Sequence, residues 1–430
     1  MKRIKITITA LSPLAIAGKK PGSVSEVEDH IPGSVIRGAI ASQILEISKQ
    51  QTPNIASQNL TENGGDFATI FLSDEPAIFQ NAYPAVAKKS ESLSQVVTDE
   101  IMVLPATAVS SKTKPGFKTN DKNNGVFDTL IDRFCAEAYN YPYDPTCPQD
   151  FGRVEPFGGF YSKSKDDKYH SHSVSTRFLT RVGINRQRAT SQDDILYSIE
   201  VLNESFSETS QKQNWHPVVY QGSILVYNED LGKSLTDFIN QNSGIFRLGS
   251  ATSRGLGKVE IKAELSEALT DVEDRINNFN DKLEERWRLW SIFGKPENDL
   301  LNNRTYFTID LQSDAIFTDN WQHTTVISSK MLCEFANVTE KDGLAKLEVA
   351  YTTYDYRSGW NAAWGLMKDI ELVTNRGGVY LFSVDKEKEK IWIEKLTELE
   401  LKGVGERTSE GFGQVQICNE FHNVLREEAV

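Results

Sequence analysis

The strongest constraint on this chain is a repeat. Leu248-Gly249-Ser250-Ala251-Thr252-Ser253-Arg254-Gly255-Leu256-Gly257-Lys258-Val259-Glu260-Ile261 aligns without gaps with Val404-Gly405-Glu406-Arg407-Thr408-Ser409-Glu410-Gly411-Phe412-Gly413-Gln414-Val415-Gln416-Ile417, and seven of the fourteen positions are identical. The copies start 156 residues apart, each near the end of a half that opens with a strand. That spacing predicts two related domains. The first half opens with Ile4, Ile6 and Ile8 alternating with Lys5, Thr7 and Thr9, a half-buried strand. The second opens with Tyr306-Phe307-Thr308-Ile309-Asp310-Leu311. Clustered glycines let backbone amides approach a phosphate or take positive φ. Here glycines precede a strand and no G-K-[ST] is present, which excludes a dinucleotide fingerprint and a Walker loop. A tight turn feeding an edge strand is the plainer alternative.

Other segments fill in the plan. Pro32-Gly33 ahead of Ser34, with Val35, Ala39, Ile40 and Ile44 on one face, predicts a helix. Its free amides, the Ser34 hydroxyl and Arg37 one turn in would suit an anion; a capped helix with a solvated arginine is the alternative. Residues 77–87 read as a strand ended by Pro84, and 88–175 as a long, polar, partly mobile insertion. A strand at 218–228 and a helix at 234–242 precede the first glycine loop. Leu269, Val272, Ile276, Phe279, Leu283 and Trp287 make 266–293 an amphipathic connector. Strands at 345–356 and 378–384 and a helix at 390–402 complete the second half. The expected division is a first domain over 1–265, with the insertion at about 88–175, a helical connector over 266–300 and a second domain over 301–430.

Arg254-Gly255-Leu256-Gly257-Lys258 and Glu410-Gly411-Phe412-Gly413-Gln414 also echo the strand signature of RNA-recognition motifs. Only Phe412 supplies an aromatic, so base stacking on the sheet is not expected. Ile31-Pro32-Gly33-Ser34 followed by Arg37-Gly38-Ala39 resembles the first-helix signature of the CRISPR-associated RAMP superfamily, and the two loops resemble its closing glycine-rich loop. Asn81-Ala82-Tyr83-Pro84 and Gly183-Ile184-Asn185-Arg186-Gln187-Arg188-Ala189-Thr190 resemble a branch found in type III-D effector complexes, related to proteins that hold the 5′ handle of crRNA. The resemblance implies an α+β fold of two tandem ferredoxin-like domains with an insertion in the first. It implies crRNA binding in antiviral defence, indirect contact with target RNA, and partners in the large polymerase-like subunit and neighbouring backbone RAMP subunits. The RNA-binding candidates are Gly33, Ser34, Arg37, Asn185, Arg186, Arg188, Gly249, Thr252, Ser253, Arg254, Gly255, Gly257 and Lys258, with Gly405, Arg407, Gly411 and Gly413 in the second loop.

Charge at first argues against RNA: 47 basic and 60 acidic residues give −13. The charge is segregated, however. Residues 1–50 carry +3 and 151–190 carry +5, whereas 251–350 carry −6, a part better suited to protein partners. An endoribonuclease and a protein-only assembly factor are the alternatives. Asp29 and His30, just before Ile31-Pro32-Gly33-Ser34, are the candidates for proton transfer or metal-assisted cleavage, though a non-catalytic role is favoured. Cys135, Cys147, His170 and His172 offer zinc-type ligands at spacings that match no standard finger, so no cofactor is favoured. Four scattered cysteines fit a reducing, cytoplasmic compartment, and no apolar run is long enough to cross a membrane.

Overall fold

The computed structural model describes residues 1–17, 27–50, 66–90, 93–118, 122–185, 188, 190–209, 212–268, 270–296, 300–339, 343–361 and 365–430. It is a mixed α+β fold with antiparallel sheets. In the first half, strand β1 (Lys2–Ala10) leads through helix α1 (Gly33–Gln50) to β2 (Ile78–Phe79), and β3 (Val219–Val226) leads through α2 (Glu229–Gln241) to β4 (Val259–Glu267). These strands pair antiparallel in the order β4-β1-β3-β2. Period two along β1 puts Ile4, Ile6 and Ile8 on the buried face, against Ile36, Ile40 and Ile44 of α1 and Leu235 and Ile239 of α2. Lys5 and Thr7 lie on the opposite, exposed face.

Connector helix α3 (Val272–Trp290) leads to the second half: β5 (Arg304–Leu311), α4 (Ser329–Phe335), β6 (Lys346–Tyr351), β7 (Val379–Asp385), α5 (Glu389–Lys402) and β8 (Val415–Ile417). The order β6-β7-β5-β8 gives its first, second, third and fourth strands the same neighbours as in the first half. Phe307 stacks on Phe382 and on Trp392 of α5. The other face of β5 is covered as well: Tyr306 meets Phe134, and its backbone N–H donates to Asn280 of α3 at 2.8 Å.

That second cover changes the reading of two segments. The apolar face of the connector joins a core: Ile276, Phe279, Leu283 and Trp287 are buried against the second sheet. The segment 88–175 is no loose insertion in the first half. It holds a five-stranded sheet built from strands between Val86 and His172 and a three-stranded sheet built from strands between Ala108 and Pro156. Its helix, Leu130–Ala138, puts Leu130, Ile131, Phe134 and Cys135 into the core of the second half. Phe117, Val126, Phe127 and Tyr161 share another core with Phe421, Val424 and Ala429. Local polarity suggested mobility, but these apolar residues find partners far along the chain.

Both halves also extend a hairpin between their second and third strands. One pairs Thr176–Asn185 with Thr190–Leu202; the other pairs Tyr354–Arg357 with Glu371–Thr374, with Trp360–Asn361 against Leu366–Met367 beyond it. The two halves therefore share strand order and hairpin position as well as the glycine loops.

Candidate nucleic-acid interface and the joint between the halves

The two glycine loops share one backbone. Ala251 and Arg407 are left-handed at φ 55° and 56°, and Gly255 and Gly411 follow at 88° and 94°. A Cβ on Gly249 would stand 2.4 Å from the Ala15 carbonyl oxygen, and one on Gly405 2.3 Å from that of Ile316. Gly257 and Gly413 lie equally close to the carbonyls of Leu248 and Val404. These four glycines therefore serve close backbone packing inside their own half. Each loop is also tied to its own hairpin: Arg254 Nη1 donates to the Tyr197 hydroxyl at 2.8 Å, and Lys368 Nζ to Glu410 Oε2 at 3.0 Å.

The start of α1, which the sequence suits to an anion, lies at the joint between the halves. The Gly33 N–H donates to Asn81 Oδ1 at 2.8 Å. A Cβ on Gly33 would stand 1.8 Å from the Phe79 carbonyl oxygen and 3.0 Å from that of Glu410. A Cβ on Gly411 would stand 2.6 Å from Asn81 Oδ1 and 3.1 Å from the Gly33 Cα. Glycine meets glycine because two backbones must touch. Arg37 turns away, donating to the Phe71 carbonyl at 2.6 Å with its guanidinium over the Phe71 ring. Gly33→Ala is expected to cost about 1–3 kcal/mol through overpacking, read as a lower urea midpoint.

Charge locks the same joint. Arg376 of the second half donates to Asp29 at 2.5 Å, lies 3.0 Å from His30 Nδ1 and stacks over Phe160. Arg357 donates to Glu28 at 2.7 Å and to Asp314. Burial works against ionising Asp29, but His30 and Arg376 hold its carboxyl well below the usual carboxylate range. Glu28, Asp29 and His30 are the only group of three such side chains among the described residues with ligand atoms within 4.8 Å of one another. The guanidinium groups of Arg357 and Arg376 already supply positive charge to it. His30 is buried, with Nδ1 between Asp29 and Arg376, so the ring is part of the joint. Sequence reasoning missed Arg357 and Arg376, which no local motif marks.

The zinc-type residues do not come together. Cys135 lies in the second-half core, where burial pushes its thiol up to about 12. Cys147 is buried beside Gln149. His170 and His172 share one face of Tyr169–His172; His172 lies 2.8 Å from the Ser162 hydroxyl, and burial brings it down to about 4.

A groove of about 880 Å³ lies between the two halves along the open face of the first sheet, lined there by Arg3, Lys5, Thr7, Gln221 and Lys262 with Glu100 and Glu264 among them, and on the far wall by Gln312, Gln414 and Gln416 with Glu400. Gln414 is 8% exposed, and its Nε2 has no hydrogen-bond partner among the described residues; neither has Gln416 Oε1. Amides of this kind can donate to and accept from base edges, while the cations suit phosphate. Alternation along β1 could have flagged Lys5, but nothing in the sequence places it opposite Gln414. Of the sequence candidates, Thr252, Ser253, Arg254, Gly255, Lys258 and Arg188 are exposed. Ser34 sits within the first turn of α1. Arg186 and the Asn185 side chain lie outside the described residues.

A family model described as the RAMP superfamily matches residues 7–260. No curated protein matches the chain. Among solved structures, the chain is similar to one in a cryo-EM structure of the Type III-B Cmr-beta bound to cognate target RNA and AMPPnP, with 12% identity, 91% of this chain and 93% of that chain covered, and a TM-score of 0.38. A Cas6 product complex shows 15% identity over 48% of this chain and 81% of that chain, with a TM-score of 0.27. With its family match spanning more than half of its length, the chain belongs to the RAMP superfamily.

Proposed function

We propose that the chain is an RNA-binding subunit of a type III CRISPR ribonucleoprotein, of the III-D kind, that holds crRNA at its 5′ repeat-derived handle. The observation that carries this is the groove: exposed Lys5 and Lys262, with Glu264 opposite Lys5, on one wall and the buried, unpartnered amide of Gln414 on the other. Cations attract the backbone without regard to sequence, and amides add hydrogen bonds to bases. Family membership supports the reading, and the shared strand order, with a helix after the first and third strands of each half, supports two ferredoxin-like units. Exposed Arg188 of the first hairpin, together with Lys258, extends the positive surface of the first half. The large polymerase-like subunit and a neighbouring backbone subunit are the partners proposed for the remaining surfaces, in the cytoplasm and in antiviral defence.

Sequencing and crosslink mapping of RNA that co-purifies with the chain tests this. The expected result is a short RNA of fixed 5′ sequence crosslinked to the groove walls. Lys5→Glu with Lys262→Glu is expected to weaken binding of that RNA at least tenfold and to flatten its salt dependence in filter binding. Absence of RNA, or crosslinks confined to other surfaces, overturns the proposal.

A further inference from the structure

The two loops have one shape but opposite surroundings. At 408–410 the second loop is half-buried, and Gly411 is buried on Gly33, Phe79 and Asn81 of the first half. At the matching positions Thr252, Ser253, Arg254 and Gly255 are exposed, and a Cβ on Gly255 would meet nothing within 4 Å. The chain thus presents the same loop twice, once docked and once undocked. Both are held by the same means, an inward glycine at each end and a tie to the hairpin of their own half.

We propose that the first loop is a docking surface for a separate polypeptide of the same fold, and that it seats on a glycine-opened helix start as the second loop seats on Gly33. The docked copy defines the chemistry of the acceptor. It needs a glycine at the first turn, because a Cβ there strikes a strand carbonyl, and an amide side chain at the position of Asn81. It also needs acidic charge near the loop, because Arg254 is exposed and pairs with no carboxylate among the described residues. A second copy of this chain does not fit. Its Gly33 is already covered by its own second loop, and its α4 is preceded by Ser328, whose side chain caps it by accepting from the Met331 N–H at 3.2 Å. The acceptor is therefore a different subunit, and the contact is heterologous, handing one end of this chain to the next member of a row. The inference rests on the proposed place in a multi-subunit particle.

A photo-crosslinking residue at Ser253, in the particle assembled with its native partners, tests it. The same residue at Ser409 is the internal reference and is expected to crosslink within the chain, near Gly33 and Asn81. From Ser253 the expected product joins a glycine-opened helix start in another polypeptide. Ser253→Trp is expected to lower recovery of that polypeptide at least tenfold, with the thermal melt unchanged because Ser253 is exposed. Crosslinks from Ser253 to RNA, to another protein element, to a second copy of this chain, or to nothing overturn the inference. Groove-bound RNA alongside any of these leaves the RNA-binding reading standing; loss of RNA and partners together refutes both.

Discussion

His422→Ala is expected to destabilise the protein by about 3–5 kcal/mol, measured by urea unfolding near neutral pH. His422 is fully buried with Nε2 2.8 Å from Asp310 and Nδ1 3.2 Å from Asp128, so its loss leaves two buried carboxylates facing each other. Thr107 and Thr308 donate to the same carboxylates and fix them in place at 2.6 Å each. Burial alone would lower the imidazole pKa, but Asp310 and Asp128 outweigh it and push it up to about 10. A folded-state value above the unfolded value of about 6.5 favours protonation in the native state, so this stabilisation is complete below about pH 6.5. It is lost as pH rises toward and through 10. The gap in urea midpoint between wild type and His422→Ala should narrow over that interval. A gap that stays constant would show that His422 is not held as a cation.

Arg357→Ala is the other large effect. One guanidinium serves Glu28 of the first half and Asp314 of the second, and all three side chains are mostly buried. Its removal strands two carboxylates in the joint, at an expected cost of about 3–5 kcal/mol. Unlike the His422 change, it should act between the halves. Hydrogen exchange should quicken at Glu28–Gly33 and Glu410–Gly413 while the interior of β5 stays protected. Faster exchange in β5 to the same degree would mean that the joint and the second core unfold as one.

What could be read in the sequence was what depends on neighbours along the chain. Alternation in β1 gave its buried face, and all the repeated glycines but Gly255 marked positions where a backbone carbonyl leaves no room for a side chain. What could not be read depends on segments that meet only in space. Gly33 is needed for contact with Gly411, but a glycine that opens a helix for an anion looks the same in sequence. Phe134 and Tyr161 lie in a segment dotted with lysine, serine and glycine, and partners far along the chain complete their cores. Gln414 reads as one more polar position in a glycine loop until the first sheet is set across from it.

The core that Phe117, Phe127 and Tyr161 share with Phe421, Val424 and Ala429 has a consequence for synthesis. Tyr161 and Phe421 are 260 residues apart, which at roughly 5–20 residues per second is about 13–52 s of elongation. Through that time the aromatic side of the middle segment has no native cover, although β1 to β4 can already close. Nascent chains stalled before Phe421 should therefore carry a finished first sheet beside an adhesive patch, which makes this stage of translation the one where a holding chaperone matters most.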